Sequence, residues 1–428
     1  MKIIDIIDQF ISGDWGEEKY SDNTPYKVAC IRGADISPID NGDFTHIPTR
    51  FISKRSFEGK CLQAGDIVVE KSGGSPTQST GRVAFISQNL IDSVGPVVCS
   101  NFCVAFRVTK KWNPLYIFYY LQFIYNKGVF FNFEGKTSGL KNLQLEAAYK
   151  AIPIENIDEV HQAQIVAILD SIHRKLTINR SINQNLESLA KQLYDYWFVQ
   201  FDFPNEEGEP YKSNGGAMVY NERLKREIPE GWFASNVCKI ADILCGGTPS
   251  KAVSEYWDNG CIPFFGPTDC SGNIFQIETA DHITPEGLEH CASSLFEEGI
   301  IIITARGSIG KLVVVGVPMA MNQSCYALRP KTGEYEYLYF LTVQLIECLK
   351  AKGSGSVFKS IITSDIENSL LCIAETDIIT NFCNLVHPLF QKIKENTIEI
   401  SNLTKQRDEL LPLLMNGQVS LNSDLSLD

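Results

Sequence analysis

The chain has 428 residues, 44% hydrophobic and 21% charged, which is an ordinary globular composition; at roughly 100 to 200 residues per domain it predicts two to four domains. A net charge of −13 argues against a protein that coats nucleic acid indiscriminately, but leaves room for a local contact face. Asp5 interrupts the N-terminus before a signal-like apolar core could form, and no run of about 18 uncharged apolar residues follows, so a cytoplasmic protein without membrane contact is expected. Thirteen cysteines with no CxxC pair signal neither a disulfide framework nor a zinc site, and the closest two, Cys99 and Cys103, are expected to be reduced residues of an apolar strand.

In chain order, Arg50, Lys54 and Arg55 precede a first unit, "LQAGDIVVEKSG" (62–73), built from a Gly turn, an apolar strand, and then a basic residue and Gly. A long loop follows, carrying Lys71, Ser72, Ser75, Thr77, Gln78 and Arg82, and the next strand opens at Gly81-Arg82-Val83. "YIFYYLQFI" (116–124) reads as a short amphipathic helix, and "KTSGL" (136–140) as a tight turn or a phosphate contact through Lys136. From 156 to 200 the pattern is a long helix with Asn156 as its cap and Glu159 three residues on. Its apolar seam is Ile168, Ile172, Lys175, Asn179, Ile182, Leu186, Leu189, Leu193 and Tyr196, with Leu176 covering Lys175. "WFVQFDFPNEEGEPYKSNGG" (197–216) then breaks the helix and opens a polar connector over 201–230.

The plan then repeats. "FEEGIIIITARG" (296–307) answers 62–73, with Gly299 on Gly65 and Gly307 on Gly73; Gly310-Lys311-Leu312 answers Gly81-Arg82-Val83. "LYFLTVQLI" (338–346) answers the first short helix, and "KGSGS" (352–356), with Lys352, answers "KTSGL". A second long helix, 376–416, carries the seam Phe382, Val386, Leu389, Ile393, Asn396, Ile400, Leu403, Arg407, Leu410 and Leu414, and stops at Asn416-Gly417. A seam of about four heptads is a coiled-coil signal whose partner is the other copy, with Asn179, Asn396 and Arg407 pinning register. The expected fold class is α+β: two globular β-rich domains (1–155 and 231–375) separated by two long helices that form an antiparallel coiled coil, an internal pseudo-twofold repeat, with a tail at 417–428. Each helix of about forty residues spans roughly 60 Å.

Catalytic constellations are missing. Asn23-Thr24-Pro25-Tyr26 lacks the second proline of an adenine-holding Asn-Pro-Pro-Tyr motif, "SGGSPTQSTGR" (72–82) does not meet the Walker pattern, and no nuclease-like acid cluster occurs. His173 and His387 hold matching places on the two helices and read as solvated or interhelical rather than as metal ligands. Residues 27–111 hold 11 basic and 7 acidic side chains, whereas 232–350 hold 7 and 13, so the second half would need a focused patch. Its candidates are Arg306, Ser308 and Lys311 on the loop, with Asn322, Gln323 and Ser324 on the following strand.

These residues resemble the specificity subunit of type I restriction-modification systems, over nearly the whole chain. The resemblance rests on "LYDYWFVQFDFPNEEGEPYKSNGGAMVYNERLKREIPEGW" (193–232), "ADILCGGTPS" (241–250), "LTKQRDELLPLLMNGQV" (403–419), and the early motifs "IRGADI" (31–36) and "FFGPTD" (264–269). One departure is that the first domain lacks the Gly231-Trp232 opening of the second. What the resemblance implies is a non-catalytic subunit with two target-recognition domains, each reading half of an asymmetric bipartite duplex DNA site. The helices would be a ruler and a dock for two methyltransferase subunits and, beyond them, restriction subunits, with Leu186, Leu189, Leu193, Trp197, Ile400, Leu403 and Leu410 as candidate dock residues. No cofactor is expected on this chain; S-adenosylmethionine, Mg and ATP belong to the partners. Arg82→Ala or Lys71→Ala is expected to weaken reading of one half-site only. The competing readings are a two-lobed coiled-coil adaptor that never touches DNA, and an enzyme with an unrecognised site.

Overall fold

The computed structural model describes residues 1–73, 78–137, 140–270, 272–352 and 360–418. By compactness the chain forms two units, one of residues 1–181 and 400–428, the other of residues 182–399. Each long helix therefore contributes to both.

The first unit is built on a four-stranded antiparallel sheet in the spatial order Ile7–Ser12, Cys103–Val108, Ile67–Glu70, Val83–Phe85. The second repeats it with Ala241–Cys245, Cys325–Pro330, Ile301–Thr304, Leu312–Val315, and adds Phe275–Gln276 in parallel at the end. A smaller three-stranded sheet is also written twice. Thr49–Ile52, Tyr26–Ile31 and Val97–Cys99 match Asp281–Ile283, Ile262–Phe265 and Ala320–Met321, the first junction antiparallel and the second parallel in both. The repeat read from glycines and strands is thus a repeat of topology.

The central strand of each main sheet is buried along its whole length, because it has a layer on both faces. Ile67 and Val69 point to the helical side, into a core that includes Ile117, Leu121 and Leu169, while Val68 points to the small-sheet side with Ile31, Ala84 and Cys99. Ile301 and Ile303 face Leu341 and Phe390, and Ile302 faces Phe265 and Met321. The first short helix runs Pro114–Asn126, capped by the Asn113 side chain, which accepts from the Leu115 amide at 3.0 Å. It is more deeply covered than an amphipathic helix, with Tyr116 to Tyr119, Leu121, Phe123 and Ile124 all buried, since the long helix and the sheet enclose it. Its counterpart is Tyr335–Lys352.

Without a Gly-Trp opening, the N-terminus seals by other means. Ile3 and Ile6 are fully buried, Ile3 N donates to Ile152 O, and Ile154 N donates to Met1 O. In the second unit Phe233–Ser235 pairs with Leu371–Ile373 instead.

The long helices are Glu159–Tyr194 and Thr376–Met415. Asp158, not Asn156, caps the first, its Oδ1 accepting from the His161 amide at 2.9 Å. The second ends as expected, with Gly417 at φ +63° and the Gly417 and Gln418 amides returning to Leu414 and Leu413 carbonyls. Within each unit the two helical segments run antiparallel. In the second, Tyr194 contacts Phe382 while Asn183 meets Asn396; in the first, Leu169 shares a core with Leu411 and Leu414.

The seam of the second helix is buried or half-buried throughout, but that of the first departs from the sequence reading by one residue. Asn183, Ala190, Tyr194 and Trp197 are inside, while Ile182, Leu189 and Tyr196 are 37%, 45% and 37% exposed. Asn183 is admitted because it is satisfied: its Nδ2 reaches Ile393 O and Thr397 Oγ1 at 3.3 Å, and its Oδ1 accepts from Asn396 Nδ2 at 2.9 Å. Such a fully bonded polar layer costs burial energy but selects one register.

After Tyr194 the helix widens into a π turn, Asp195–Val199, and Phe201 takes a left-handed φ of +68°. Phe198, Phe201 and Phe203 then surround Trp232 with ring centroids 5.7, 5.4 and 5.1 Å away. The connector is therefore seated on an aromatic core in the second unit.

Candidate nucleic-acid interface

The loops singled out by sequence lie at the same end of the same strands in both units, and they are tied by the same backbone bonds. Lys71 N and Ser72 N donate to Phe102 O at 2.8 and 3.0 Å; Ala305 N and Arg306 N donate to Ser324 O at 2.8 and 3.2 Å. Gly81 N donates to Glu70 O as Gly310 N does to Thr304 O, and Ser100 N to Ile31 O as Asn322 N does to Phe265 O. The early motifs also coincide: Asp35 Oδ2 accepts from Arg32 N at 2.7 Å and Asp269 Oδ2 from Gly266 N at 2.7 Å, each acid closing its own turn. Gly13 and Gly246 let the first strand approach the tip, since a Cβ there would stand 2.0 Å from Ser100 O or 2.3 Å from Asn322 O.

Between these matched frames the side chains differ. In the first unit Arg82 Nε and Nη2 donate to Glu70 Oε2 and Oε1 at 2.9 and 2.7 Å, and Nη2 also reaches Gly33 O at 2.9 Å. Hydrogen bonding to Glu70 raises the Arg82 pKa above its ordinary value. Arg82 is 21% exposed and Glu70 3%, so this arginine is engaged in clamping two loops and is not free to read a base. The second unit places Thr304 and Lys311 at those positions: Thr304 Oγ1 accepts from Lys311 N at 3.0 Å, and Lys311 Nζ reaches Cys270 O at 3.3 Å.

Lys54 and Arg55 start an exposed short helix, with Lys54 3.8 Å from Glu58. Arg50 is set aside differently: its guanidinium lies 4.2 Å from the Trp15 ring centre and 3.5 Å from Glu18, with its side chain mostly covered. Lys71 and Gln78 are exposed, and Ser72 is half-buried on Asn142. Ser75 and Thr77 lie outside the described residues. Arg306 and Ser308 are exposed, Asn322 Oδ1 accepts from Ser324 N at 2.9 Å, and Gln323 bonds Thr248. Lys136 belongs to the strand Glu134–Thr137, whereas Lys352 ends a helix, so the two do not occupy equivalent elements.

Sequence reading missed Asn101 and Phe102, which stand where the second unit has Gln323 and Ser324. Both are exposed, and Asn101 lines a cleft of about 760 Å³ together with Lys71, Phe10, Ser12 and Gly13. Only the repeat itself could have pointed to them.

Of the candidate dock residues, Trp197 is buried in the second unit's own core and cannot meet a partner there. Leu186 and Leu193 pack half-buried on the same core, and Leu410 on the first unit's core; Ile400 and Leu403 are half-buried, which leaves Leu189 openly exposed. His173 and His387 each join a long helix to a shorter one: the first lies 4.0 Å from Asp40 of the helix Ile36–Asp40, the second 2.6 Å from the buried Glu336 of Tyr335–Lys352. Among the described residues no acid, His and Cys cluster could hold a metal, and no helix is long and apolar enough to cross a membrane.

Two copies of one β-rich domain, each presenting a tied loop set at its strand ends and each joined to a paired long helix, define an internally duplicated protein. Residues 41–188 and 229–373 match the family described as the type I restriction modification DNA specificity domain. The type I restriction enzyme MjaIX specificity subunit of Methanocaldococcus jannaschii is 30% identical, over 96% of this chain and 94% of that one. The HindI specificity subunit of Haemophilus influenzae is 24% identical over 61% and 68%. In fold, the chain is similar to the S subunit of a type I restriction-modification system from M. genitalium, with a TM-score of 0.57 and 14% identity over 97% and 95% of the two chains. The chain belongs to the family of type I restriction-modification specificity subunits.

Proposed function

We propose that this chain supplies sequence specificity to a type I restriction-modification complex and carries no catalytic site of its own. Each loop set reads one half of a bipartite, asymmetric duplex DNA site, and the paired helices set the gap between the halves. The helices also dock two methyltransferase subunits, and restriction subunits join beyond them; S-adenosylmethionine, Mg and ATP act on those partners. The observation that carries this reading is the preservation of one backbone frame at the strand ends of both units, with different side chains mounted on it. Conserved framing with divergent tips is what two readers of unlike half-sites require. The domain fields differ as well, the first positive over 27–111 and the second negative over 232–350, so contact in the second is confined to a patch around Arg306 and Lys311.

Gel shifts with the purified methyltransferase partner test it. Sequence-dependent retardation of duplex DNA by the complex is expected, steeply weakened by salt. Tight partner binding with no DNA retardation would favour the adaptor, and methyl transfer or cleavage by this chain alone would favour an enzyme.

A further inference from the structure

We infer that Asn101 and Phe102 form the base-reading tip of the first domain, with Asn101 bonding the major-groove edge of an adenine and Phe102 covering a neighbouring thymine methyl. The inference rests on the proposed DNA reading and deepens it at one site.

The tip is rigid where it must be. Cys103 N donates to Ser100 O at 2.9 Å to close the turn, Ser100 N holds to Ile31 O at 2.8 Å, and Phe102 O accepts from both Lys71 N and Ser72 N. On that fixed backbone the two side chains project outward. Phe102 is 55% exposed, and the Asn101 amide makes no hydrogen bond to another described residue. A single exposed aromatic is unremarkable on its own. Here it is joined to a free amide and to the exposed Lys71, on a turn whose counterpart carries Gln323 and Ser324.

Chemistry then selects the target. An Asn or Gln amide matches the donor and acceptor pair of adenine N6 and N7, and an apolar side chain matches the thymine C5 methyl. Lys71, tied through its own amide to the same turn, is placed to meet an adjacent phosphate and fix the register. The second tip keeps an amide at Gln323 but replaces the aromatic by Ser324, so only the first half-site gains from a methyl. Arg82, clamped to Glu70, supports the loop behind this tip and does not read.

The test uses the full chain assembled with its methyltransferase partner. The methylated motif of wild type is determined by sequencing, and binding is then measured on duplexes carrying each single substitution in the first half-site. Asn101→Ala should lose discrimination at one A·T pair of that half-site by about tenfold or more, leaving the second half-site's preference intact. Replacing thymine by uracil, which removes only the methyl, should weaken wild type at one position and leave Phe102→Ala indifferent. Both side chains are exposed, so unfolding temperatures should match wild type. An unchanged motif in Asn101→Ala, a first half-site without an A·T pair, or no uracil effect at any thymine would overturn the inference. Absence of any sequence-dependent binding by wild type would instead overturn the proposed function, so the two failures are distinguishable.

Discussion

Arg82→Ala is expected to lower the unfolding temperature of the first unit by roughly 6 to 20 °C, which corresponds to about 3–5 kcal/mol at 2–4 °C per kcal/mol. The cause is Glu70, which is 3% exposed and has its carboxylate saturated by the Arg82 guanidinium. Removing the arginine strands a buried charge, and it also frees the Gly33 carbonyl that Arg82 ties down. The double variant Arg82→Met, Glu70→Leu should recover most of the loss, because a buried pair replaced by apolar groups of similar size is often neutral. Differential scanning calorimetry of single and double variants reads this directly. A single variant that unfolds like wild type would mean the pair is not buried in solution. With the expected destabilisation, loss of first half-site reading in Arg82→Ala follows from a collapsed loop and not from a missing base contact.

Trp232→Ala should be about as damaging to the second unit, by about 3–5 kcal/mol. Trp232 stacks on Phe203 and meets Phe201 edge-on, and both belong to the connector that follows the first long helix. Phe198, in the π turn, touches Trp232, Tyr337 and Phe382 together. Emptying the centre of that cluster leaves a cavity bounded by three rings, and the helix end loses its seat. Trp232→Phe should recover part of the loss. Limited proteolysis provides the local readout: cleavage within 201–216 should accelerate in the Ala variant, and an unchanged pattern would show that the connector is held by other contacts.

Much of this architecture was legible in the sequence because it depends on local signals. Gly65 and Gly299 mark turns before strands whose first three residues are all apolar, which is how a strand covered on both faces reads. The long helices announced themselves by their seam and by Asn416-Gly417. The phase of the first seam was not legible, since Ile182 and Leu189 look more apolar than Asn183 and Ala190. Asn183 is buried only because Asn396 and Thr397, more than 200 residues away, satisfy it. Arg82 was read as a contact residue because its loop is polar; its partner Glu70 faces it only once strands Ile67–Glu70 and Val83–Phe85 pair. Asn101 and Phe102 escaped notice for a similar reason. Nothing in a three-residue turn between two cysteine-containing strands reveals which side chains the fold leaves outside.

Under the proposed function, the paired helices act as a ruler between two reading heads. Deleting one heptad from each helix, at antiparallel-matched positions so that the Asn183–Asn396 layer survives, removes about 10 Å, or roughly three base pairs. Three pairs also turn one half-site by about 100° around a duplex of about 10.5 pairs per turn, so affinity should fall while the residual preference moves. Selection from duplexes with every gap length, using the assembled complex, should return a gap about three pairs shorter than wild type. Recovery of the wild-type gap with undiminished affinity would contradict the account.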